Sequence, residues 1–273
     1  MSTDLLIEGR HFRRDWSSAA DIGVKAAAQN LADIAAMGAA PTALLLGLAV
    51  PGDTAVAWVL ELASGLLAEC ERAGAVLVGG DVTSADAVML GITAVGDLAG
   101  RTAVTRSGAR PGDVVALSGV PGRSAAGLAL LEAGRDSADA EVAELIAAHR
   151  RPEPDYPAGV TAAAAGATAM IDVSDGLVAD LGHVATASRV SIDIRSASLA
   201  DARLDTAAAL LGADPRRWAL GGGEDHVLAA SFPSDAHVPQ AWTIVGEVRE
   251  GNGVVVDSRP WHGRGGWDHF LRR

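Results

Sequence analysis

The chain has 273 residues, of which 49% are apolar, and a formal net charge of −12 at pH 7. This acidity argues against a nucleic acid or an anionic membrane as partner. No apolar run approaches the roughly 18 to 20 residues that span a bilayer, and Met1 is followed by Ser-Thr-Asp, not by a basic leader. Cys70 is the only cysteine, which excludes an intrachain disulfide and a cysteine-based zinc site. We expect a cytoplasmic globular protein that binds a small phosphorylated substrate only where cations offset its negative field.

The first 105 residues have the pattern of a mixed α/β unit. Apolar runs and alternation predict strands at residues 2–7, 42–50, 75–78 and 88–96. Small apolar residues at helical spacing predict two helices, one at residues 20–37 and one that begins after Thr54 as its N-cap and ends at Gly74.

The most convincing linker is residues 106–112 (RSGARPG), so we predict two domains, at residues 1–108 and 109–273. The second domain repeats the α/β pattern, with helices at residues 123–134 and 138–149 and a last strand near residues 242–248. Abundant Ala and Gly with few aromatics favour tightly packed helices on a sheet. The fold class expected from these patterns is α/β with mixed sheets.

Short motifs place an aspartate beside a glycine, a hydroxyl or a helix start: Ser2-Thr3-Asp4, Asn30-Leu31-Ala32-Asp33, Gly79-Gly80-Asp81 and Asp172-Val173-Ser174-Asp175-Gly176. Magnesium is usually held by one or two carboxylates together with substrate phosphates. A single aspartate of this kind is more often a turn or cap residue. The last motif is more informative, because its two aspartates are three residues apart and can share one pocket where a cation offsets their repulsion.

Two glycine-rich segments are ambiguous. Residues 221–225 (GGGED) offer backbone N–H groups for an anion-binding concavity with Glu224 as a fixed acceptor, and a tight turn is an equally good interpretation. Residues 119–127 (GVPGRSAAG) allow phosphate binding at a helix start, although a plain turn with Ser124 near the cap is favoured. Neither segment is a Walker A loop, and no GxGxxG fingerprint occurs.

In order along the chain, STDLLIEGRHF, KAAAQNLADIAAMGAAP, LVGGDVT, TRSGARPGDVVALSG, IDVSDGLVADLGH, GGGED and GWDHF resemble the motif series of the thiamine-monophosphate kinase family. The resemblance implies an N-terminal ATP- and metal-binding domain that dimerises through its sheet, and a C-terminal α/β domain, in a fold similar to that of aminoimidazole ribonucleotide synthetase. It implies a homodimer in which ATP, with several Mg²⁺ ions, phosphorylates thiamine phosphate directly to thiamine diphosphate.

The resemblance also implies roles for residues that match the family's motifs. Metal-site positions are Ser2, Thr3, Asp4, Asp33, Asp81, Asp172 and Asp175. Nucleotide contacts are Gly80, Asp81, Arg106 and Ser174, and the thiamine moiety is received by His11, Glu224 and Trp267. No general base is assigned, because the acceptor phosphate oxygen is already ionised at neutral pH. Taken singly, a surface role for His11, a hinge charge at Arg106 and a packing role for Trp267 stay open.

Members of this family begin with a longer segment that carries Gly-Asp-Asp ahead of the STD motif, and the sequence given starts at that motif. We therefore expect a truncated start or a depleted metal site. Two other functions stay open: another ATP-dependent enzyme of the same fold family, such as a purine-pathway synthetase, and a catalytically weak protein that binds nucleotide or thiamine phosphate. Selenophosphate synthetase and the hydrogenase maturation protein are disfavoured, because each would require a reactive cysteine at a position where this chain has none.

Overall fold

The computed structural model describes residues 1–135, 139–234, 236–263 and 265–266. Strands β1 to β11 are, in chain order, Ser2–Ile7, Ala40–Val50, Val76–Ser84, Met89–Asp97, Val114–Leu117, Ala169–Asp172, Ser191–Ile194, Leu228–Phe232, Thr243–Arg249, Gly253–Val256 and Arg259–Pro260. Helices α1 to α8 are Ala19–Ala36, Val56–Ala73, Arg123–Glu132, Ala140–Arg150, Tyr156–Ala164, Leu177–Ser188, Ala202–Leu211 and Pro215–Gly221, and Ser196–Leu199 is a 3₁₀ turn.

The strands form two mixed sheets, which confirms the expected fold class. The first sheet has the order β1-β4-β2-β3, in which only β2 and β3 are parallel. The second has the order β11-β10-β7-β9-β5-β8-β6 and is antiparallel except for β10 and β7. The predicted domain boundary near residue 108 falls between the last strand of the first sheet and the first strand of the second, and as a domain division it stays a prediction.

Helix α1 is the element that joins the two sheets. It begins at a capping box in which Ser18 and Asp21 exchange hydrogen bonds with each other's backbone N–H groups. It packs against β1, β2 and β4 of the first sheet and against β6 and β8 of the second. Its contact with α2 is very close, because a Cβ on Gly23 would lie 2.1 Å from the Leu62 carbonyl oxygen. The small residues of this helix therefore explain how it fits between the two sheets.

Two apolar cores follow from this arrangement. One surrounds α1 and takes residues from both sheets, including Leu44, Ile92 and Phe232. The other lies on the opposite face of the second sheet, beneath α3, α4, α6 and α7. The second sheet is thus covered on both faces, whereas the outer face of the first sheet leaves Leu5 and Leu45 exposed. None of the described helices is long and apolar enough to cross a membrane.

Several boundary predictions need correction. Gly79-Gly80-Asp81 does not follow a strand but lies inside β3, which continues to Ser84. The N-cap of α2 is Ala55, not Thr54, and no side chain caps that helix. Helix α5 was missed, because its Ala- and Gly-rich sequence lacks a clear apolar stripe. The strand near residues 242–248 is not the last one, since β10 and the short β11 follow it.

Candidate active site

The face of β1 that packs on α1 brings two of the acidic motifs together. Ser2 and Asp4 alternate with the residues of the exposed face, so both side chains point toward the helix. The Ser2 hydroxyl donates to an oxygen of Asp33 at 2.5 Å, and the Gln29 amide lies 3.4 Å from an oxygen of Asp4. Residues Gln29 and Asp33 are one turn apart on α1. The helix therefore fixes both aspartates at one edge of the first sheet.

Strand β6 supplies the next carboxylate from the second sheet. Asp172 is its last residue and is buried, and one of its oxygens lies 3.3 Å from Nδ1 of His226. His226 is also buried, and its Nε2 has no hydrogen-bond partner among the described residues. Burial lowers the pKa of His226, but the hydrogen bond to Asp172 and the negative charges of Asp172, Glu224 and Asp33 together outweigh it, and the net shift is upward. His226 therefore holds one oxygen of Asp172 in place.

Asp33 and Asp172 lie close enough to repel one another across the two sheets. Burial raises the pKa of Asp33 to about 7, and the negative charges of Asp172 and Asp4 add to the effect. The Ser2 hydroxyl and the positive charge of His226 act in the opposite direction and do not compensate. Carboxylates that destabilise each other in this way are the arrangement in which a bound cation would gain most.

The loop after β6 is organised by Asp180, a residue that was not singled out from the sequence. One oxygen of Asp180 accepts hydrogen bonds from the backbone N–H groups of Ser174, Asp175 and Gly176, each at 3.0 Å. Burial raises the pKa of Asp180 to about 7, to which Asp172 and Asp175 also contribute. The pKa shifts thus link a continuous group of carboxylates, named here the acidic cluster: Asp4, Asp33, Asp172, Asp175 and Asp180.

Beside the acidic cluster, Glu224 makes an ion pair between the two parts of the chain. The buried ammonium group of Lys25 lies 2.9 Å from Oε2 of Glu224, and Nδ1 of His149 lies 3.6 Å from the same oxygen. Burial raises the pKa of Glu224, but the positively charged groups around it, first of all Lys25, outweigh burial, so the net shift is downward. Burial and the Lys25 charge lower the pKa of His149 to about 3. At neutral pH the pair is therefore a carboxylate and an ammonium ion beside a neutral imidazole.

The structure contradicts both anion-binding interpretations of the glycine-rich segments. In GGGED, the N–H groups of Gly222 and Glu224 donate to the carbonyl oxygens of Trp218 and Ser174 and so are not available to an anion. The expected tight turn is absent as well, because Gly222 caps the end of α8 and residues 222–227 are extended or irregular. At the start of α3, the N–H groups of Gly122 and Ser124 are bound by the buried carboxylate of Asp225. The glycines serve close packing, since a Cβ on Gly223 would lie 2.5 Å from the Ser174 carbonyl oxygen.

Other predicted site residues lie apart from the acidic cluster in this chain. Asp81 pairs with Gly47, which pairs with Gly91, and Gly91 pairs with the exposed Leu5. Asp81 therefore belongs to the outer face of the first sheet, at the opposite edge from Asp4 and about 14 Å from it across three strand spacings. The side chain of Thr3 lies on that outer face too and donates to the carbonyl oxygen of Ile92. Packing of β3 on β2 requires a glycine at residue 80, because a Cβ on Gly80 would lie 2.0 Å from the Leu46 carbonyl oxygen.

The remaining predicted residues have local contacts. Nδ1 of His11 accepts a hydrogen bond from the Ile7 N–H in the turn after β1. Arg106 is exposed, and its carbonyl oxygen accepts from Ser188 at the end of α6, about 17 Å along that helix from the loop at its start. Trp267 lies outside the described residues. For each of these positions, as for Thr3, Gly80 and Asp81, the ligand role stays a prediction.

The donor chemistry of the cluster fits Mg²⁺ of the kind that is shared with phosphates. Among the described residues, no group of three or more His, Cys, Asp or Glu side chains is placed to hold a metal ion on its own. Mg²⁺ commonly needs only one or two carboxylates when phosphate oxygens and waters complete its octahedron. Asp33 and Asp172 meet that requirement, because Asp33 is repelled by its acidic neighbours and the second oxygen of Asp172 accepts no hydrogen bond from the described residues.

Residues missed by sequence reasoning are Lys25, His149, Asp180 and His226. A weak signal was present for two of them. Lys25 is the only cation within the apolar helix pattern of residues 19–36, and a lysine on a buried helix face needs a partner. His226 directly follows the GGGED motif, and both Glu224 and His226 have left-handed φ values, +63° and +53°, a strain that is common at functional sites.

Comparison with known proteins identifies the family of the chain. The family model "AIR synthase related protein, N-terminal domain" matches residues 1–98. Thiamine-monophosphate kinase of Mycobacterium tuberculosis (strain H37Rv) is 49% identical over 273 residues, which covers 99% of this chain and 80% of that protein. The chain belongs to the thiamine-monophosphate kinase family. The resemblance expected from its motifs is thereby confirmed.

Solved structures of the family agree with the fold. "AaThiL complexed with AMPPCP and TMP" superposes with a TM-score of 0.93 at 35% identity and covers 98% of this chain and 86% of that one. "Hydrogenase Maturation Protein HypE in complex with ATP" gives a TM-score of 0.75 at 18% identity, with 94% and 80% covered. The second likeness shows the shared fold alone.

Proposed function

We propose that this thiamine-monophosphate kinase family member transfers the γ-phosphoryl group of ATP to thiamine phosphate and yields ADP and thiamine diphosphate. The observation that carries the proposal is the acidic cluster between the two sheets, where Asp33 and Asp172 repel one another with few protein donors to compensate. A relative of 35% identity was solved as "AaThiL complexed with AMPPCP and TMP". An ATP analogue and a thiamine phosphate together are the ligands that the proposed reaction requires.

The carboxylates have the task of holding Mg²⁺ with the nucleotide phosphates. Asp33, Asp172 and Asp175 are proposed as ligands, with Asp4 and Ser2 alongside on β1: Asp172 acts on Asp33, and Asp172 and Asp175 both act on Asp180. Bound Mg²⁺ supplies neutralisation of phosphate charge and alignment of the reacting groups. The protein's own contribution is to fix these carboxylates in advance: Ser2 holds Asp33, and His226 holds Asp172.

The remaining roles complete the same proposal. Ser174, in the loop organised by Asp180, contacts the nucleotide, and Glu224 receives the thiamine moiety. Trp267 binds the cationic rings by stacking, a contact worth about 0.5–2 kcal/mol. Thr3, Gly80, Asp81, Arg106 and His11 keep their predicted ligand roles within this proposal. The acceptor is an ionised phosphate oxygen, so no side chain needs to remove a proton from it.

Turnover is the direct test of the function. Purified protein with Mg·ATP and thiamine phosphate should yield ADP and thiamine diphosphate in equal amounts, measured by chromatography of both products. Replacing thiamine phosphate with thiamine should abolish transfer, because the ionised acceptor phosphate is then missing and no base is assigned to activate the remaining hydroxyl. Heat of binding without product would support the alternative of a catalytically weak binding protein and would reject the kinase assignment.

We also propose that the chain forms a cytoplasmic homodimer through the outer face of the first sheet, with the two-domain division near residue 108. Support comes from the exposed apolar side chains of that face, which include Leu5, Leu45 and Val78. Leu5→Glu should convert the dimer into a monomer by light scattering. Leu60→Glu, at an equally exposed leucine on α2, should leave the mass unchanged. A monomeric parent protein would contradict the proposal.

A further inference from the structure

We propose that Lys25 is a positioning residue for thiamine phosphate, an inference that rests on the proposed function. It fixes one carboxylate oxygen of Glu224, so that the other oxygen is available to bind the positively charged, amino-bearing rings of the substrate. Lys25 itself does not contact the substrate, because its ammonium group is buried against the protein. Its effect on substrate binding is exerted through Glu224.

The geometry divides the two oxygens of Glu224. Oε2 is 2.9 Å from the Lys25 ammonium nitrogen and 3.6 Å from Nδ1 of His149. The Lys25 side chain is 3% exposed and that of Glu224 is 30% exposed. No hydrogen bond from the described part of the chain reaches Oε1. The carboxylate is thus anchored at its buried oxygen and open at the other, which is the arrangement of a side chain that recognises a ligand.

The backbone conformation of Glu224 is a second, independent indication that this residue is held in a fixed position. Its φ is +63°, a left-handed conformation that a glutamate rarely adopts. The Glu224 N–H donates to the Ser174 carbonyl oxygen at 2.7 Å, so the backbone is held against the loop of the acidic cluster. The backbone of Glu224 is thus fixed at this loop, and the contact with Lys25 fixes the carboxylate at the other end of the side chain.

Neighbouring groups define the chemistry that this carboxylate selects. His149 is neutral, since burial and the charge of Lys25 lower its pKa to about 3, and its Nδ1 also lies 3.1 Å from the Ser124 hydroxyl. Glu224 and Lys25 are then the charged members of this group, and they neutralise each other. A cationic ring that approaches Oε1 gains a charge-assisted contact, whereas a plain phosphate monoester gains nothing there. The pair therefore favours thiamine phosphate over phosphate monoesters that carry no cationic ring.

A purely structural tie between α1 and the second sheet is the competing explanation, and the chain contains a matched control for it. Arg151 forms an ion pair with Asp21, one turn before Lys25 on the same helix, and this pair also joins α1 to the later part of the chain. Its arginine is half-exposed and its aspartate is mostly buried, and neither residue makes an ion pair with Glu224 in the described part of the chain. Arg151→Met removes such a tie without disturbing the capping bonds of Asp21.

The experiment compares KM for thiamine phosphate, KM for ATP and Tm among the parent protein, Lys25→Met, Glu224→Gln, the double variant and Arg151→Met. Lys25→Met should raise KM for thiamine phosphate about tenfold or more and leave KM for ATP within about twofold. The double variant should equal Glu224→Gln in KM, because Lys25 acts only through Glu224. Arg151→Met should change neither KM.

The outcomes separate the two explanations. A lower Tm with an unchanged KM for thiamine phosphate in Lys25→Met would reduce Lys25 to a structural tie. A double variant that binds thiamine phosphate more weakly than Glu224→Gln would show that Lys25 acts independently, and this comparison stands even if Lys25→Met alone fails to fold. If the parent protein makes no thiamine diphosphate, the kinase proposal fails, and calorimetric titration with thiamine phosphate still tests Lys25.

Discussion

Two polar groups connect α1 and α2 to the second part of the chain, and they differ in how well their carboxylates are compensated by positive groups and hydrogen-bond donors. The first, named here the Glu69 clamp, consists of Glu69, Arg72 and Tyr156. The Arg72 guanidinium forks onto the Glu69 carboxylate and lies 4.6 Å from the centre of the Tyr156 ring. The Tyr156 hydroxyl also donates to Glu69. One carboxylate thus receives a cation and a phenol at the same time.

The acidic cluster shows the reverse balance. Several carboxylates face one another, the pKa of Asp33 rises to about 7, and Nε2 of His226 is left without a partner among the described residues. Burial opposes the charged form of Arg72 in the clamp, yet Glu69 raises the pKa of that guanidinium. The carboxylate of the clamp is therefore compensated by protein groups, whereas a bound cation would be needed to offset the repulsion within the cluster. Stability given up at such a place is typical of functional sites.

The largest effect should come from removing one charge from the acidic cluster. Asp172→Asn keeps a group that can bond to His226 but removes a proposed Mg²⁺ ligand, so kcat should fall about 100-fold or more. Because the repulsion of Asp33 is relieved, Tm without divalent cations should rise by about 2–4 °C for each 1 kcal/mol released. Steady-state kinetics and calorimetry measure both. Retained activity at limiting Mg²⁺ would remove Asp172 from the metal site.

Replacing the carboxylate of the Glu69 clamp by an amide should lower the stability of the fold and leave turnover nearly unchanged. Glu69→Gln leaves the Arg72 guanidinium and the Tyr156 hydroxyl with a weaker acceptor, so the free energy of unfolding should fall by about 1–3 kcal/mol. The value is modest because Arg72 is partly exposed. Turnover should change less than about twofold. Glu71→Gln, at an exposed position of the same helix, is the control and should affect neither quantity.

Local signals in the sequence predicted most of the elements around the acidic cluster, but not helix α5, which carries Tyr156 of the Glu69 clamp. Strand β1, helix α1 and strand β2 follow from apolar patterning, from the stop at Gly38 and from small residues that suit close packing. The motifs with Asp4, Asp33 and Asp172 were recognised because each lies beside a glycine, a hydroxyl or a helix start. The structure brings these three into one cluster, as their shared chemistry suggested.

Partners distant in sequence could not be predicted in the same way. Lys25 and Glu224 are 199 positions apart, and nothing local distinguishes a lysine with a buried partner from one in solvent. Asp81 was grouped with the other aspartates because the strand pattern of residues 75–78 stopped before it. The strand in fact continues through Gly79-Gly80, and the register then assigns Asp81 to the outer face. Sheet register is set by long-range pairing, which one sequence does not reveal.

The smallest effect that we predict is a dependence of stability on pH that Mg²⁺ should cancel. Asp33 and Asp180 have folded-state pKa values of about 7, well above the unfolded value near 3.9. Between about pH 4 and pH 7 the folded protein therefore binds more protons than the unfolded chain, so its stability falls as the pH rises through this window. His149, whose pKa burial and Lys25 lower to about 3, opposes this trend below about pH 6.5, but it is one group against two. Without divalent cations, Tm should therefore drop by a few degrees from pH 5 to pH 8, and Mg²⁺ with AMPPCP should restore more of it at pH 8, where the carboxylates are ionised. Asp33→Asn should flatten the profile and Glu69→Gln should only displace it downward; a parallel profile for Asp33→Asn would mean that this carboxylate is not the group that titrates.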